Sequence, residues 1–162
     1  MSSIAFSRCF ALHEEGLYFV PYADMFNHST SQWHTRVRHD SEGVWMYAEE
    51  EIGQDDEVLN FYGNYSAIWM LVTHGFFEEL PKSERGLLID LGDSFADVDN
   101  IEEALDYCSE YQSPKKALIE KLLDLQESLR SPIADVSPQG RLLERARLYE
   151  LETVDYWLSK LE

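Results

Sequence analysis

Apolar residues come in short strand-like blocks through the first half of the chain and recur at helical spacing through the second. LYFV (17–20), VWMYA (44–48) and EVLNFY (57–62) are rich in β-branched and aromatic residues and predict strands. NHSTSQ, HDSEG and IGQDD lie between them and predict turns. SAIWMLVTHGF predicts a short helix, with Ser66 as its cap and Gly75 as its stop.

After one more strand-like piece, GLLIDLG (86–92), the pattern turns helical. In DNIEEALDYCSEY, Asn100 stands three residues before Glu103, the spacing of a capping pair. SPKKALIEKLLDLQESLR opens with Ser113 and Pro114 and carries Leu118, Leu122, Leu125 and Leu129 on one face. Ser137-Pro138 repeats that opening, and Leu142, Ala146, Tyr149, Val154, Trp157 and Leu161 mark a second stripe. Two long amphipathic helices joined by SPIADVSP predict an antiparallel pair whose stripes are core. The fold class expected is α+β: a β-rich part over residues 1–80, then an all-helical part over 81–162. The composition shift at ELPKSERG (79–86) marks the boundary.

Composition narrows the function. With 44% hydrophobic and 13% aromatic residues, the 162-residue chain can build a packed body. Its net charge of −18 argues against nucleic acid as a direct partner, because phosphate binding needs a basic face. A basic protein would be attracted, although solubility alone accounts for such a charge. Cys9 and Cys108 form no C-x-x-C pair and no disulfide framework, which suits a reducing compartment. No apolar run reaches membrane-spanning length, and MSSIAFSRCF lacks the features of a secretory signal. The expectation is a cytoplasmic or nuclear protein with no membrane partner. His34 and His39 flank T-R-V-R with no third ligand close in sequence, so no metal is expected.

The segment PYADMFNHST (21–30) sets Asp24, Asn27 and His28 among Tyr22, Met25 and Phe26, where the hydrophobic signal is strong. Alone it reads as a polar turn, and Tyr62-Gly63 alone reads as a strand end. In order and spacing, however, SR (7–8), LYFVPYADMFNHS (17–29), EEEIGQDDEV (49–58), NFYG (60–63) and HGFF (74–77) form a set. Over residues 4–78 that set resembles the C-terminal half of a SET domain. The similarity is to the class typified by the Rubisco large-subunit lysine methyltransferase and its actin-histidine-methylating relative. The helical remainder is similar to the start of the substrate-binding domain that follows SET in this class.

The resemblance implies a protein-lysine N-methyltransferase that uses S-adenosyl-L-methionine, with a lysine side chain of a protein as acceptor. It implies Tyr62 as the catalytic tyrosine, directed at the methyl-transfer path. Arg8, Asp24, Asn27, His28 and Tyr62 would surround the cofactor: Arg8 at the methionine carboxylate, Asp24 supporting that shell, and the backbone at 27–28 meeting the adenine. Phe61, Tyr65 and Phe76 would wall the substrate channel. Methyl transfer from a sulfonium to an amine is an in-line displacement that needs alignment, a deprotonated lysine and exclusion of water. An aromatic channel lowers the pKa of an ammonium by desolvating it.

The sequence departs from that class in several places. No Gly-x-Gly occurs, and nothing before Ile4 supplies the strand that carries one in SET domains. Asp55-Asp56-Glu57 replaces Gly-Glu-Glu, Ser66-Ala67 replaces Ser-Asn, and Ser31-Gln32-Trp33 replaces a Pro-Asn loop. The chain is therefore expected to be a fragment, an incomplete gene model or a degenerate relative. Alone it should expose strand edges and apolar surface. The alternative reading is a non-catalytic SET-derived protein-interaction module.

Overall fold

The computed structural model describes residues 7–13, 16–92 and 94–162. The chain forms two compact units that divide between Gly63 and Asn64. The boundary read from composition at 80–81 falls inside the second of them. Both strands and helices are present, so the α+β class holds. No helix among the described residues is long and apolar enough to cross a membrane.

In the first unit, β1 (Cys9–His13) pairs antiparallel with β2 (Gly16–Phe19). A second sheet has the order β3–β6–β4–β5. Its β4 (Thr35–Asp40) and β5 (Gly43–Ala48) form a hairpin. HDSEG makes the turn because Asp40 Oδ1 accepts the Glu42 and Gly43 N–H groups at 2.8 and 3.1 Å. Two short strands complete the sheet. β6 (Leu59–Asn60) lies between β3 (Asn27–His28) and β4 and runs parallel to both.

The strand expected over EVLNFY is thus cut to two ladder residues. Its flanks bond elsewhere: Glu57 accepts the Asn27 amide at 2.5 Å, and the Tyr62 N–H turns to the His28 ring at 3.0 Å. The interior of this unit is polar. His28, Ser29, Thr35 and Asn60 are buried beside Ala23. Thr35 is held by donating its hydroxyl to the Leu59 carbonyl at 3.1 Å. Large apolar side chains lie outside instead, among them Phe19, Tyr22, Met25 and Trp45.

The second unit opens with α1 (Ala67–His74). Ser66 Oγ accepts the Trp69 N–H at 3.2 Å, and Gly75 ends the helix with φ 86°. That left-handed conformation costs glycine nothing and a β-carbon residue roughly 1 kcal/mol. Next comes an antiparallel hairpin of β7 (Leu87–Asp90) and β8 (Phe95–Val98). Residues 81–162 are therefore not all helical. The strand-like GLLIDLG became β7, and its partner FADV is too short for its alternation to stand out in the sequence. Leu87, Ile89, Ala96 and Val98 are the inward positions of that alternation.

Three helices complete the unit: α2 (Ile101–Tyr107), α3 (Pro114–Leu129) and α4 (Pro138–Leu161). Asn100 caps α2 by accepting the Glu103 N–H at 2.9 Å. Ser137 caps α4 through Gly140 at 3.0 Å, whereas Ser113 makes no side-chain cap. Gln126 reaches Asp155 at 2.7 Å, and the Leu129 carbonyl accepts from Arg147. Rising numbers on one helix meet falling numbers on the other, so α3 and α4 are antiparallel as the pattern predicts. Leu118, Leu122, Leu129, Val154, Trp157 and Leu161 close one core with the hairpin and α2.

Candidate functional site

The polar residues of PYADMFNHST are gathered by one turn and one short strand. Tyr22 has φ 73° and ψ −42°, a strained conformation for a residue with a β-carbon. It starts a 3-10 turn over Ala23–Met25, closed by the Met25 N–H donating to the Tyr22 carbonyl at 3.1 Å. The turn faces Tyr22 and Met25 outward and buries Ala23. The Asp24 carboxyl, 9% exposed, accepts from Arg8 Nη1 at 3.3 Å. The same nitrogen donates to the Asp24 carbonyl at 3.0 Å. Half of the Arg8 side chain stays exposed.

Strand alternation then separates Asn27 from His28. Asn27 faces out and gives its amide to Glu57. His28 faces in. Its Nδ1 accepts the Tyr62 backbone N–H at 3.0 Å, and its Nε2 lies 3.0 Å from Thr30 Oγ1. A nitrogen that accepts carries no proton, so the hydrogen sits on Nε2 and the ring is neutral. The Tyr62 ring stacks on it with centroids 4.9 Å apart and planes at 29°. The Tyr62 hydroxyl donates to the Phe26 carbonyl. Burial pushes that phenol above its ordinary pKa; the Arg8 charge pulls it down and the Asp24 charge pushes it up. Arg8, Asp24, His28 and Tyr62 therefore form one cluster, with Asn27 beside it and turned away.

Phe61 points into a different stack. Its ring lies 6.0 Å from His28 and 5.8 Å from Trp33. The Arg36 guanidinium covers Trp33 at 4.6 Å and Phe61 at 5.5 Å, and it pairs with Glu49 at 3.3 Å. Tyr65 and Phe76 belong to the second unit. Tyr65 precedes the cap of α1, where burial, Asp97 and Asp99 all raise its phenol pKa. Phe76 follows the Gly75 stop, with its ring 6.4 Å from His74.

Sequence reasoning missed Thr30, Trp33 and Arg36. Thr30 has a readable signal: a hydroxyl two residues after a buried histidine is within reach of its ring. Trp33 and Arg36 have none, because their stack joins the loop before β4 and β4 itself to Phe61 just after β6. Residues 4–6, where the SET-like stretch begins, lie outside the described residues.

The arrangement offers a half-buried neutral phenol, a neutral imidazole beneath it and a guanidinium with donors to spare among the described residues. Those groups can orient an anion and a small polar acceptor without a metal. Comparison with protein-family models, with curated proteins and with solved structures finds no match.

Proposed function

We propose that the chain carries part of the site of an S-adenosyl-L-methionine-dependent protein-lysine N-methyltransferase of the SET class. The observation behind this reading is that Tyr62, brought from a segment far along the chain, stacks on His28 beside the Arg8–Asp24 pair. The residue order that suggests the family and the side-chain cluster that suggests a site coincide there.

The donor set suits the carboxylate end of the cofactor. Arg8 commits one nitrogen to Asp24, and its remaining N–H groups match a carboxylate. Asp24 fixes the base of that fork. When bound, the cofactor supplies a methyl group on a sulfonium. Tyr62 keeps its proton at neutral pH, donates it to the Phe26 carbonyl and leaves its oxygen lone pairs to orient an incoming amine. His28 holds the Tyr62 backbone and ring at once.

A second reading, a non-catalytic interaction module, draws on the same geometry. The Tyr62 hydroxyl and one Arg8 nitrogen already have internal partners. Methyl transfer from tritiated S-adenosylmethionine to lysate proteins and lysine peptides separates the two. The expected outcome is labelling by a complete-length version of the protein and loss of about a hundredfold with Tyr62→Phe, a change of roughly 2.7 kcal/mol. Equal labelling by both proteins removes Tyr62 from the mechanism. A folded chain that neither labels nor binds the cofactor in calorimetry leaves the module.

A further inference from the structure

The second unit holds a carboxyl pair that the methyl-transfer reading does not use. Two side chains from different elements grip the start of α1. The Ser66 N–H donates to Asp97 Oδ1, on β8, at 3.1 Å. The Ile68 N–H donates to Glu150 Oε1, on α4, at 3.0 Å. Ser66 itself caps the helix through Trp69. Glu150 is 3% exposed and Ser66 1%. Asp97 Oδ2 is buried and makes no hydrogen bond.

The groups facing the pair are mostly acids. Asp99, just beyond β8, accepts the Asn64 amide at 3.3 Å, and Glu103 of α2 accepts the Asp99 N–H at 2.7 Å. Tyr65 adds a phenol influenced by Asp97 and Asp99. The cations nearby in the fold are committed elsewhere. Arg85 lies over Tyr149 at 3.7 Å and pairs with Glu152 at 3.3 Å. Arg145 pairs with Glu79 and Arg147 with Glu144. Lys121 donates to the Asp90 carbonyl at 2.8 Å, and His74 stands at the other end of α1. Among the described residues, no lysine or arginine forms an ion pair with Asp97 or Glu150.

A helix start with free N–H groups favours one negative charge. A second carboxylate on the same turn, buried and without a cation, adds repulsion and desolvation. We propose that Asp97 and Glu150 act as a proton-holding latch: with at least one of the two carboxyls protonated they clamp the first turn of α1, and loss of that proton as pH rises loosens the turn. The latch stands independently of the methyl-transfer reading.

Burial pushes both carboxyls up to about 7, with their own backbone bonds pulling the other way. The sign follows from linkage. An acid whose folded pKa lies above its unfolded value binds more protons when folded. Its stabilising contribution is full below the unfolded value of about 4 and is lost as pH rises toward 7. The two sites titrate as a pair.

Carbon-13 carboxyl NMR of the full chain is the direct test. The expected result is Asp97 and Glu150 resonances that shift in two coupled steps, at least one near neutrality. Amide exchange at Trp69 and Met70, corrected for intrinsic rate, should lose about tenfold protection from pH 5 to 7.5, while Leu122 changes little. Glu150→Gln and Asp97→Asn should each flatten that difference. Two carboxyls titrating near 4 in the unmodified chain overturn the proposal, whether or not either variant folds. So does an exchange profile that both variants leave unchanged.

Discussion

The two units bury different chemistry. The second encloses leucine, isoleucine, valine and tryptophan in one cluster, with helix caps and a hairpin around it. The first encloses an imidazole, two hydroxyls and a carboxamide, and leaves aromatic side chains on its outside. An apolar core gains from area removed from water and tolerates approximate shape. A polar interior gains only if each group finds its partner. The second unit can therefore draw its stability from that cluster, with Ser66, Glu150 and Thr153 among its buried polar exceptions. The first is specified by particular bonds, and its candidate site is the place where those bonds converge.

The largest test of this contrast is Leu122→Ala. Leu122 is fully buried in the helical core. The expected cost is about 3 kcal/mol, read as a lower urea midpoint with little change in slope. Thr30→Val probes the other kind of interior, because it removes the oxygen beside His28 Nε2 and keeps the volume. The expected cost is about 1 kcal/mol, with Thr30→Ser close to unchanged. Nitrogen-15 shifts of the ring should stay those of the Nε2–H tautomer in Thr30→Val, because the Tyr62 N–H still holds Nδ1. A Thr30→Val loss larger than that of Leu122→Ala would invert the comparison. Tyr22→Gly gives the smallest effect and the opposite sign. The residue is largely exposed and strained, so relief should outweigh the added chain entropy by roughly 0.5 kcal/mol.

The same contrast explains what was legible in the sequence. Leu118, Leu122, Leu129, Val154 and Trp157 announce themselves through spacing, and the structure buries all of them. Ser66, Asn100 and Gly75 announce helix ends, and each acts there. The hairpin partner at 95–98 escaped because four residues carry too little alternation. Asn60, among the most buried residues, reads as loop-forming by composition, and only its place between two parallel strands explains it. The link between Tyr62 and His28 is a tertiary contact that no local pattern encodes. Thr30, Trp33 and Arg36 needed coordinates because their roles depend on ring and hydroxyl positions.

Strand β6 has a kinetic consequence. Its two residues are clasped on both sides by strands that were made earlier along the chain, and neither β3 nor β4 can finish its ladder until they arrive. Closing the intervening loops costs entropy before any β6 ladder bond repays it, so β3 and β6 must join the local hairpin late and together. A nascent chain that ends before Leu59 would hold a ready hairpin and a His28 whose Nδ1 has yet to meet the Tyr62 N–H.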